Sequence, residues 1–360
     1  MTSRTFAIIA GGGTAGHVTP GVAVARELAG RGHDPSALHF VGARRGVEVD
    51  VVPAAGFPLT LLPGRGIKRS FSPSNVGAVF GLVAAILRSI VLVRRLRPRV
   101  VLATGGFASV PCVIGAVLWR VPIVVAEQNA VPGAANRLAG RFARSCAVSF
   151  PGTDLPNATV TGNPVRSEIL AAAALGDERG GDDRRQVLVF GGSLGALRIN
   201  RTVQAMLAEG GLGARVRHVI GRRDWPELAD DARALAASSA YDAVEYEHDM
   251  AAALVATDLA VCRAGASTVA ELAVTGTPAI LVPLPGAPGD HQTANARGLE
   301  GAGAAVVLPD ADLEPSTLRG AIDGILADTD RLDRMAAAAR GFARPDAAAR
   351  VADLVEEHAR

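Results

Sequence analysis

The chain is short of the residues that mark nucleic-acid surfaces, disulfide scaffolds and disorder. Aromatics make up 4% of its 360 residues, with two tryptophans and two tyrosines, too few for the platforms on which nucleic-acid bases stack. No nucleic-acid partner is expected. Three cysteines occur, Cys112, Cys146 and Cys262, an odd number, widely spaced and set in apolar sequence, so they read as buried thiols in a reducing compartment. Charged residues reach only 20% against 49% hydrophobic, which excludes a disordered chain. No cationic stretch followed by an apolar core opens the sequence, since RTFAIIA runs straight into glycines, and no secretion signal is expected.

Glycine, by contrast, is abundant at 41 residues, as tight strand-to-helix turns require. Short apolar runs alternate with helical patterns, with strands expected near 5–10, 38–42, 57–62, 99–103, 121–126 and 145–149, then near 186–190, 215–220, 242–245, 258–261, 278–282 and 304–308. Alternation of this kind predicts parallel sheets covered on both faces. The Pro-, Gly- and Asn-rich FPGTDLPNATVTGNPVR, residues 150–166, and the polar ALGDERGGDDRR, 174–185, read as linker and loop. The expected fold class is α/β, two doubly wound Rossmann-like domains facing a cleft. The expected divisions are 1–162, 163–345 and a C-terminal helix, 346–360, packing back on the N-terminal domain.

The net charge of +2 hides a division: residues 1–160 carry 17 Lys/Arg and 6 Asp/Glu, and the rest 20 and 29. A basic half facing an anionic partner is implied. Within it, IKRSFSPSNVGAVFGLVAAILRSIVLVRRLRPR, 67–99, sets an apolar stretch among Arg65, Lys68, Arg69, Arg94, Arg95, Arg97 and Arg99. That stretch is shorter than the roughly 20 residues that span a bilayer. It reads either as a core helix with a solvated basic end or as a surface for anionic headgroups.

AGGGTAGHVTPGVAVA, 10–25, places Gly11, Gly13 and Gly16 in G-x-G-x-x-G spacing between a strand and a helix, the setting of a dinucleotide turn. No Lys followed by Ser or Thr closes it, so it is not a P-loop. The ribose-binding acid of a Rossmann domain is also missing, because the second strand ends in Ala43-Arg44-Arg45; arginines there keep an NADP site open as an alternative. A second glycine turn, GGSLGA at 191–196, follows the strand QVLVF, where helix amides and Ser193 could hold a diphosphate. In CRAGASTVAELAVTGTP, Glu271 follows Ser267 and Thr268 by about one turn; it could accept from vicinal ribose hydroxyls or complete a capping box. AEQNAVPGAANR and PGDHQTANA put Glu127, Gln128 and Asn129, and Asp290, His291, Gln292 and Asn295, at strand and helix ends, where polar caps are common and sugar contacts are possible.

In this order, GGGTAGHVTPGVAVA, AEQNAVPGAANR, TGNPVR, GGSLGA, CRAGASTVAELAVTGTP and DHQTANA resemble the bacterial peptidoglycan glycosyltransferases of family 28, over about residues 6–345. The resemblance implies a GT-B fold and an inverting transfer of N-acetylglucosamine (GlcNAc) from UDP-GlcNAc. The acceptor it implies is the C4 hydroxyl of MurNAc in undecaprenyl-pyrophosphoryl-MurNAc-pentapeptide (lipid I), giving lipid II, at the cytoplasmic face of the cell membrane among anionic inner-leaflet lipids. Carried over by position, Thr14, Ala15 and Gly16 match the donor-contacting turn with His17 beside it. Asn129 matches a GlcNAc contact, and Arg166 and Ser193 match diphosphate contacts. Ala266, Ser267, Thr268, Val269, Ala270 and Glu271 match the nucleoside site, with Glu271 on the ribose, and Gln292 matches a sugar contact. Two positions depart from the family pattern. Ala15 stands where a glycine is common and is expected to have an ordinary helical φ, and His291 replaces the first of a Gln-Gln pair.

These residues suggest a single in-line displacement at the anomeric carbon. Helix N-terminal amides, Ser193 and Arg166 would stabilise the leaving diphosphate. No Asp-x-Asp metal motif is evident and neither metal nor cofactor is required. His17 is the expected base, because an imidazole titrates near working pH, with Asp290 and His291 as alternatives.

Overall fold

The computed structural model describes residues 5–64, 74–176, 184–192, 195–237 and 240–360. The chain divides into two compact units, residues 1–166 with 344–360, and residues 167–343.

The first unit runs β1 (Ala7–Gly11), α1 (Ala15–Gly30), β2 (Leu38–Ala43), α2 (Glu48–Ala54), β3 (Leu59–Leu62), α3 (Ser74–Leu96), β4 (Val100–Gly105), α4 (Ser109–Leu118), β5 (Ile123–Glu127), α5 (Ala134–Gly140), β6 (Ser145–Val148) and β7 (Ala158–Val160). The second runs α6 (Ser167–Leu175), β8 (Gln186–Phe190), α7 (Leu197–Ala208), β9 (Arg215–Val219), α8 (Trp225–Ala236), β10 (Tyr241–Val244), α9 (Met250–Val255), β11 (Leu259–Cys262), α10 (Ala266–Thr275), β12 (Ala279–Leu281), α11 (His291–Gly301), β13 (Ala305–Val307), α12 (Pro315–Leu326) and α13 (Thr329–Phe342). The last helix, α14 (Ala347–His358), belongs to the first unit.

Among the described residues the first sheet has seven strands in the order β3-β2-β1-β4-β5-β6-β7, and the second has six in the order β10-β9-β8-β11-β12-β13. All the pairings are parallel. Their central strands are continuous apolar runs such as AIIAG, VVLATG and QVLVF, buried on both faces, as helix-covered parallel strands must be. Strand order reverses direction between β1 and β4 and again between β8 and β11. The crevice beyond the carboxyl ends at such a reversal is where open α/β sheets take ligands.

Two segments differ from expectation. β7 lies inside the stretch read as a linker: only three residues long, each of them exposed, and paired to β6 alone, it is a short edge strand whose flanking Pro and Asn mask its periodicity. Helix α3 buries one face and exposes the other. Ala85, Ser89 and Val93 are buried against α4, where a Cβ on Gly115 would lie 3.1 Å from the Ser89 carbonyl oxygen. Phe80, Val83, Leu87 and Val91, the last 66% exposed, form an outward stripe at helical spacing. Arg65, Lys68 and Arg69 lie outside the described residues, as does much of the 174–185 loop.

α14 inserts Val351, Ala352 and Val355 into the core of the first unit. At its surface the Arg31 guanidinium meets Asp353 and Glu356, each at 2.7 Å, and these carboxylates together with Glu27 raise its pKa further above the ordinary arginine value. The three cysteines are buried and free. Burial pushes the Cys112 thiol up to about 12 and Cys146 to about 11.

Candidate functional site

The first glycine turn closes onto the loop after β4. A side chain on Gly11 would overlap Thr104, and one on Gly106, whose φ is +79°, would meet the Gly12 carbonyl. The two loops therefore touch through bare backbone, joined by the Gly12 N–H donating to the Gly105 oxygen at 3.3 Å. Beneath them lies a residue that sequence reasoning missed. Glu48, 1% exposed, accepts from the Gly13 N–H on both oxygens, at 3.1 and 3.0 Å, and from the Ala43 N–H at 2.7 Å. The acid sought at the end of β2 is present after all, displaced onto the first turn of α2 and folded back under the glycines. It answers an amide of the turn instead of a ribose. Arg44 and Arg45 are exposed.

Thr14 caps α1 with its backbone extended and makes no side-chain cap hydrogen bond. Ala15 opens the helix with an ordinary φ, being absent from the positive-φ residues, so its replacement of glycine carries no strain. Residues 14 and 15 are exposed, while Gly16 and His17 are half-buried. The His17 ring meets Gln128, with Nδ1 3.1 Å from Oε1. Gln128 is buried and donates its own Nε2 to the Ala126 carbonyl at 3.0 Å.

Next to it, Glu127 is 2% exposed and saturated. One oxygen accepts from the Asn129 backbone at 2.9 Å and its Nδ2 at 3.1 Å, and the other from Gly133 at 3.0 Å and Asn136 Nδ2 at 2.9 Å. Two oxygens already holding four donors have their hydrogen-bonding positions taken up by the protein itself. The part of Glu127 is to fix the loop that carries Gln128 and Asn129.

In the second unit, Gly191 and Gly192 of GGSLGA follow the carboxyl end of β8 and the Gly195 N–H donates to the Gly192 oxygen at 2.9 Å; Ser193 and Leu194 lie outside the described residues. Gly192 and Gly195 have φ of +94° and +87°. A Cβ on Gly195 would fall 2.4 Å from the Ile220 oxygen and 2.5 Å from Asp224 Oδ2. Behind the turn runs a buried network: Asn200 Nδ2 donates to Ile220 O at 2.9 Å and Asp224 Oδ2 at 3.1 Å, and Asn200 Oδ1 meets His218 Nε2 at 3.0 Å. His218 Nδ1 in turn meets the Tyr241 hydroxyl at 2.8 Å. Burial pushes the His218 imidazole down to about 3, so it stays neutral. Arg223 pairs with Asp224 at 2.9 Å. The helix that follows, α7, starts with no side-chain cap on its amides.

The adjacent strand β11 leads into α10, capped by Gly265 with no side-chain cap bond. Ser267 and Thr268 are consequently the second and third helical residues, and Glu271 lies too far in to close a capping box, which leaves the hydroxyl-accepting alternative. Glu271 is 8% exposed and the Ser267 hydroxyl is buried without a hydrogen-bond partner among the described residues. Ala266 and Val269 are buried, and Thr268 and Ala270 half-buried. Gln292 Oε1 accepts from Ala264 N at 3.2 Å and Leu284 N at 2.9 Å, tying the loops after β11 and β12 together. What it can offer a ligand is its Nε2 N–H. His291 Nδ1 meets the Pro288 carbonyl at 2.9 Å, and Asp290 Oδ1 accepts from Thr293 at 2.8 Å.

Thr14, Ala15, Gly16, His17 and Asn129 therefore gather at the switch point of the first unit, with Arg166 at its C-terminal joint. Residues 266–271 and Gln292 gather at that of the second. Asp-x-Asp spacing, read as absent, does occur at Asp310-Ala311-Asp312 and Asp328-Thr329-Asp330. Asp310, however, pairs with Arg263 at 2.6 Å and Asp328 caps α13 by accepting from Arg331 N at 2.8 Å.

Residues 7–148 match the glycosyltransferase family 28 N-terminal domain and residues 186–351 the glycosyltransferase family 28 C-terminal domain. The chain is 45% identical over 358 residues to the UDP-N-acetylglucosamine–N-acetylmuramyl-(pentapeptide) pyrophosphoryl-undecaprenol N-acetylglucosamine transferase of Alkalilimnicola ehrlichii, covering 98% of this chain and 99% of that one. To the protein of the same name from Methylococcus capsulatus it is 42% identical, with 98% of each chain covered. Among solved structures, Acinetobacter baumannii MurG superposes with a TM-score of 0.78 at 28% identity, over 98% of this chain and 99% of that one.

Proposed function

Because this chain belongs to glycosyltransferase family 28, with the two parallel α/β units of a GT-B enzyme, we propose that it transfers GlcNAc from UDP-GlcNAc to the C4 hydroxyl of MurNAc in lipid I, forming lipid II. The observation that carries this reading is the pair of helix N-termini, α7 and α10, that follow neighbouring strands at the switch point of the second unit with no side chain capping either. Amides so placed favour a diphosphate. The buried Ser267 hydroxyl and Glu271 stand on the first turns of α10, where a nucleoside linked to that diphosphate would lie. Glu271 accepts the ribose hydroxyls, residues 266–270 line the nucleoside, and Gln292 donates Nε2 to the sugar.

In the transition state negative charge grows on the departing diphosphate. The α7 amides, Ser193 and Arg166 stabilise it, as donors already in place that need no reorganisation at the moment of reaction. Thr14, Ala15, Gly16 and Asn129 are assigned to the donor sugar by the family motifs they match. His17 takes the proton from the attacking C4 hydroxyl as UDP leaves with inversion at the anomeric carbon.

The acceptor is a polyprenyl diphosphate, and the outward stripe of α3 with Arg88, Arg94 and Arg95 on the same helix is the surface that brings the enzyme to anionic lipids as a peripheral protein on the cytoplasmic face. No helix among the described residues is long and apolar enough to cross a membrane.

The test is release of UDP from labelled UDP-GlcNAc against a short-chain lipid I analogue, with and without EDTA. Turnover that needs the MurNAc acceptor is expected; UDP-GlcNAc consumed equally without it would overturn the proposal. His17→Ala is expected to lower kcat by roughly 100-fold or more, whereas Glu271→Ala should act chiefly on the KM for UDP-GlcNAc.

A further inference from the structure

We infer that Gln128 is a positioning residue that sets the tautomer of His17, keeping the ring proton on Nδ1 and the lone pair on Nε2. The inference rests on the reading of His17 as the base, and it adds which nitrogen does the work and what chooses it. A neutral imidazole carries its proton on either nitrogen, and the hydrogen bond made by one decides the role of the other.

Here the choice is forced through a chain of three groups. The Ala126 carbonyl can only accept. It lies 3.0 Å from one end of the Gln128 amide, and that end must therefore be the NH2, since the opposite orientation would set two oxygens against each other. The Gln128 oxygen is thus the atom 3.1 Å from His17 Nδ1, and an amide oxygen also only accepts. Nδ1 must donate. The lone pair is left on Nε2, the form a base needs.

Three further features hold this geometry. Gln128 is 2% exposed, so water does not compete for its oxygen. Glu127, saturated by four donors, fixes the backbone on either side of it. Gly105, with φ +99°, makes room for the ring: a Cβ there would lie 3.1 Å from both Cε1 and Nδ1 of His17. An amide does this without the charge of a carboxylate, which would favour the imidazolium. Among the charged groups on neighbouring elements, Glu127 at the end of β5 and Glu48 on α2 are both bound to donors of the protein.

The test is nitrogen-15 NMR of the full-length protein labelled at its seven histidines, at a pH where imidazoles are neutral, with His17 assigned by its loss in His17→Ala. Protonated Nδ1 and unprotonated Nε2 are expected; an Nε2–H form in the unmutated protein would overturn the inference. Gln128→Glu gives up the donation to Ala126 and must turn one oxygen away from that carbonyl, but it still offers Nδ1 an accepting oxygen; it should keep the proton on Nδ1 and move the acid limb of kcat/KM upward by about 1–2 pH units, with turnover recovered at high pH. Gln128→Ala should release the tautomer and lower kcat about tenfold or more with little change in donor KM. Equal losses in both variants at every pH, with the tautomer unmoved, would mean that Gln128 is structural only. If Nδ1 carries the proton yet His17→Ala keeps its turnover, it is the base assignment that fails, while the tautomer assignment stands.

Discussion

The two glycine-rich turns read alike in the sequence, a strand, a cluster of glycines and a helix, yet their surroundings divide their tasks. Behind each lies a buried carboxylate. Under the first, Glu48 binds the turn directly, taking the Gly13 and Ala43 amides, and no cation pairs with it among the described residues. Behind the second, Asp224 points at Asn200 and is neutralised by Arg223, leaving the amides of α7 to face outward. A diphosphate near Gly13 would meet an uncompensated buried charge; one at the start of α7 would not. What a glycine turn binds is thus decided by the groups that answer its amides from behind, and those come from distant sequence.

Substitutions in the two turns test this difference. The largest effect is expected from Gly195→Ala, because the added methyl has nowhere to go between Ile220 O and Asp224 Oδ2 and the residue also has a positive φ. Overpacking and backbone strain together should destabilise the second unit by about 4 kcal/mol, measured by urea denaturation; a loss under 1 kcal/mol would show that the network yields. Next comes Glu48→Ala, which strands two backbone amides and should cost about 3 kcal/mol, with Glu48→Gln near 2 because one acceptor oxygen survives. If both variants were as stable as the parent, the first turn would not depend on its carboxylate.

Most of the fold was legible because parallel strands buried on both faces leave continuous apolar runs, and AIIAG or QVLVF can be little else. The short edge strand Ala158–Val160 was not, since a solvent-exposed strand has no apolar signature. The site residues lie on motifs that are modest one by one and telling in their order, and the capping-box alternative at Glu271 needed the position of the α10 cap to be excluded. The partners of Glu48 and Gln128 and the chain Asp224-Asn200-His218-Tyr241 were not legible. Each works through a partner at least 18 residues away in sequence, as Glu48 with Gly13 at a separation of 35, Gln128 with His17 at 111 and Asn200 with His218 at 18, and a residue type alone does not name its partner. Glu48 was within one inference: it follows the strand end where an acid was sought, a few positions late.

A pH effect separates the two turns as well, since only the second rests on a histidine. The folded pKa of His218, about 3, lies below the unfolded value near 6.5, so the unfolded chain binds the extra proton. Stability linked to this group is complete above about pH 6.5 and is lost as the pH falls toward 3. At pH 5 the loss should be about 2 kcal/mol relative to pH 7.5. His218→Gln, which has no proton to take up, should be less stable than the parent at pH 7.5, with the gap closing by that amount at pH 5; a gap independent of pH would dismiss the linkage.

The smallest effects come from the outer glycines of the first turn and bear on what its spacing means. Gly13 has φ +94° but open space where a Cβ would go, and Gly16 has an ordinary φ with only the Thr14 hydroxyl, 3.8 Å away, in reach. Gly13→Ala should therefore lose about 1 kcal/mol, the penalty of a left-handed conformation without any clash. Gly16→Ala, inside the first turn of α1, should be neutral or gain a few tenths of a kcal/mol. If Gly16→Ala leaves stability intact and raises the KM for UDP-GlcNAc, the third glycine of the G-x-G-x-x-G spacing is there to let the donor sugar approach the backbone. If KM is unchanged as well, the spacing at Gly16 is incidental, and the turn is defined by Gly11, Gly12 and Gly13 against Thr104 and Glu48.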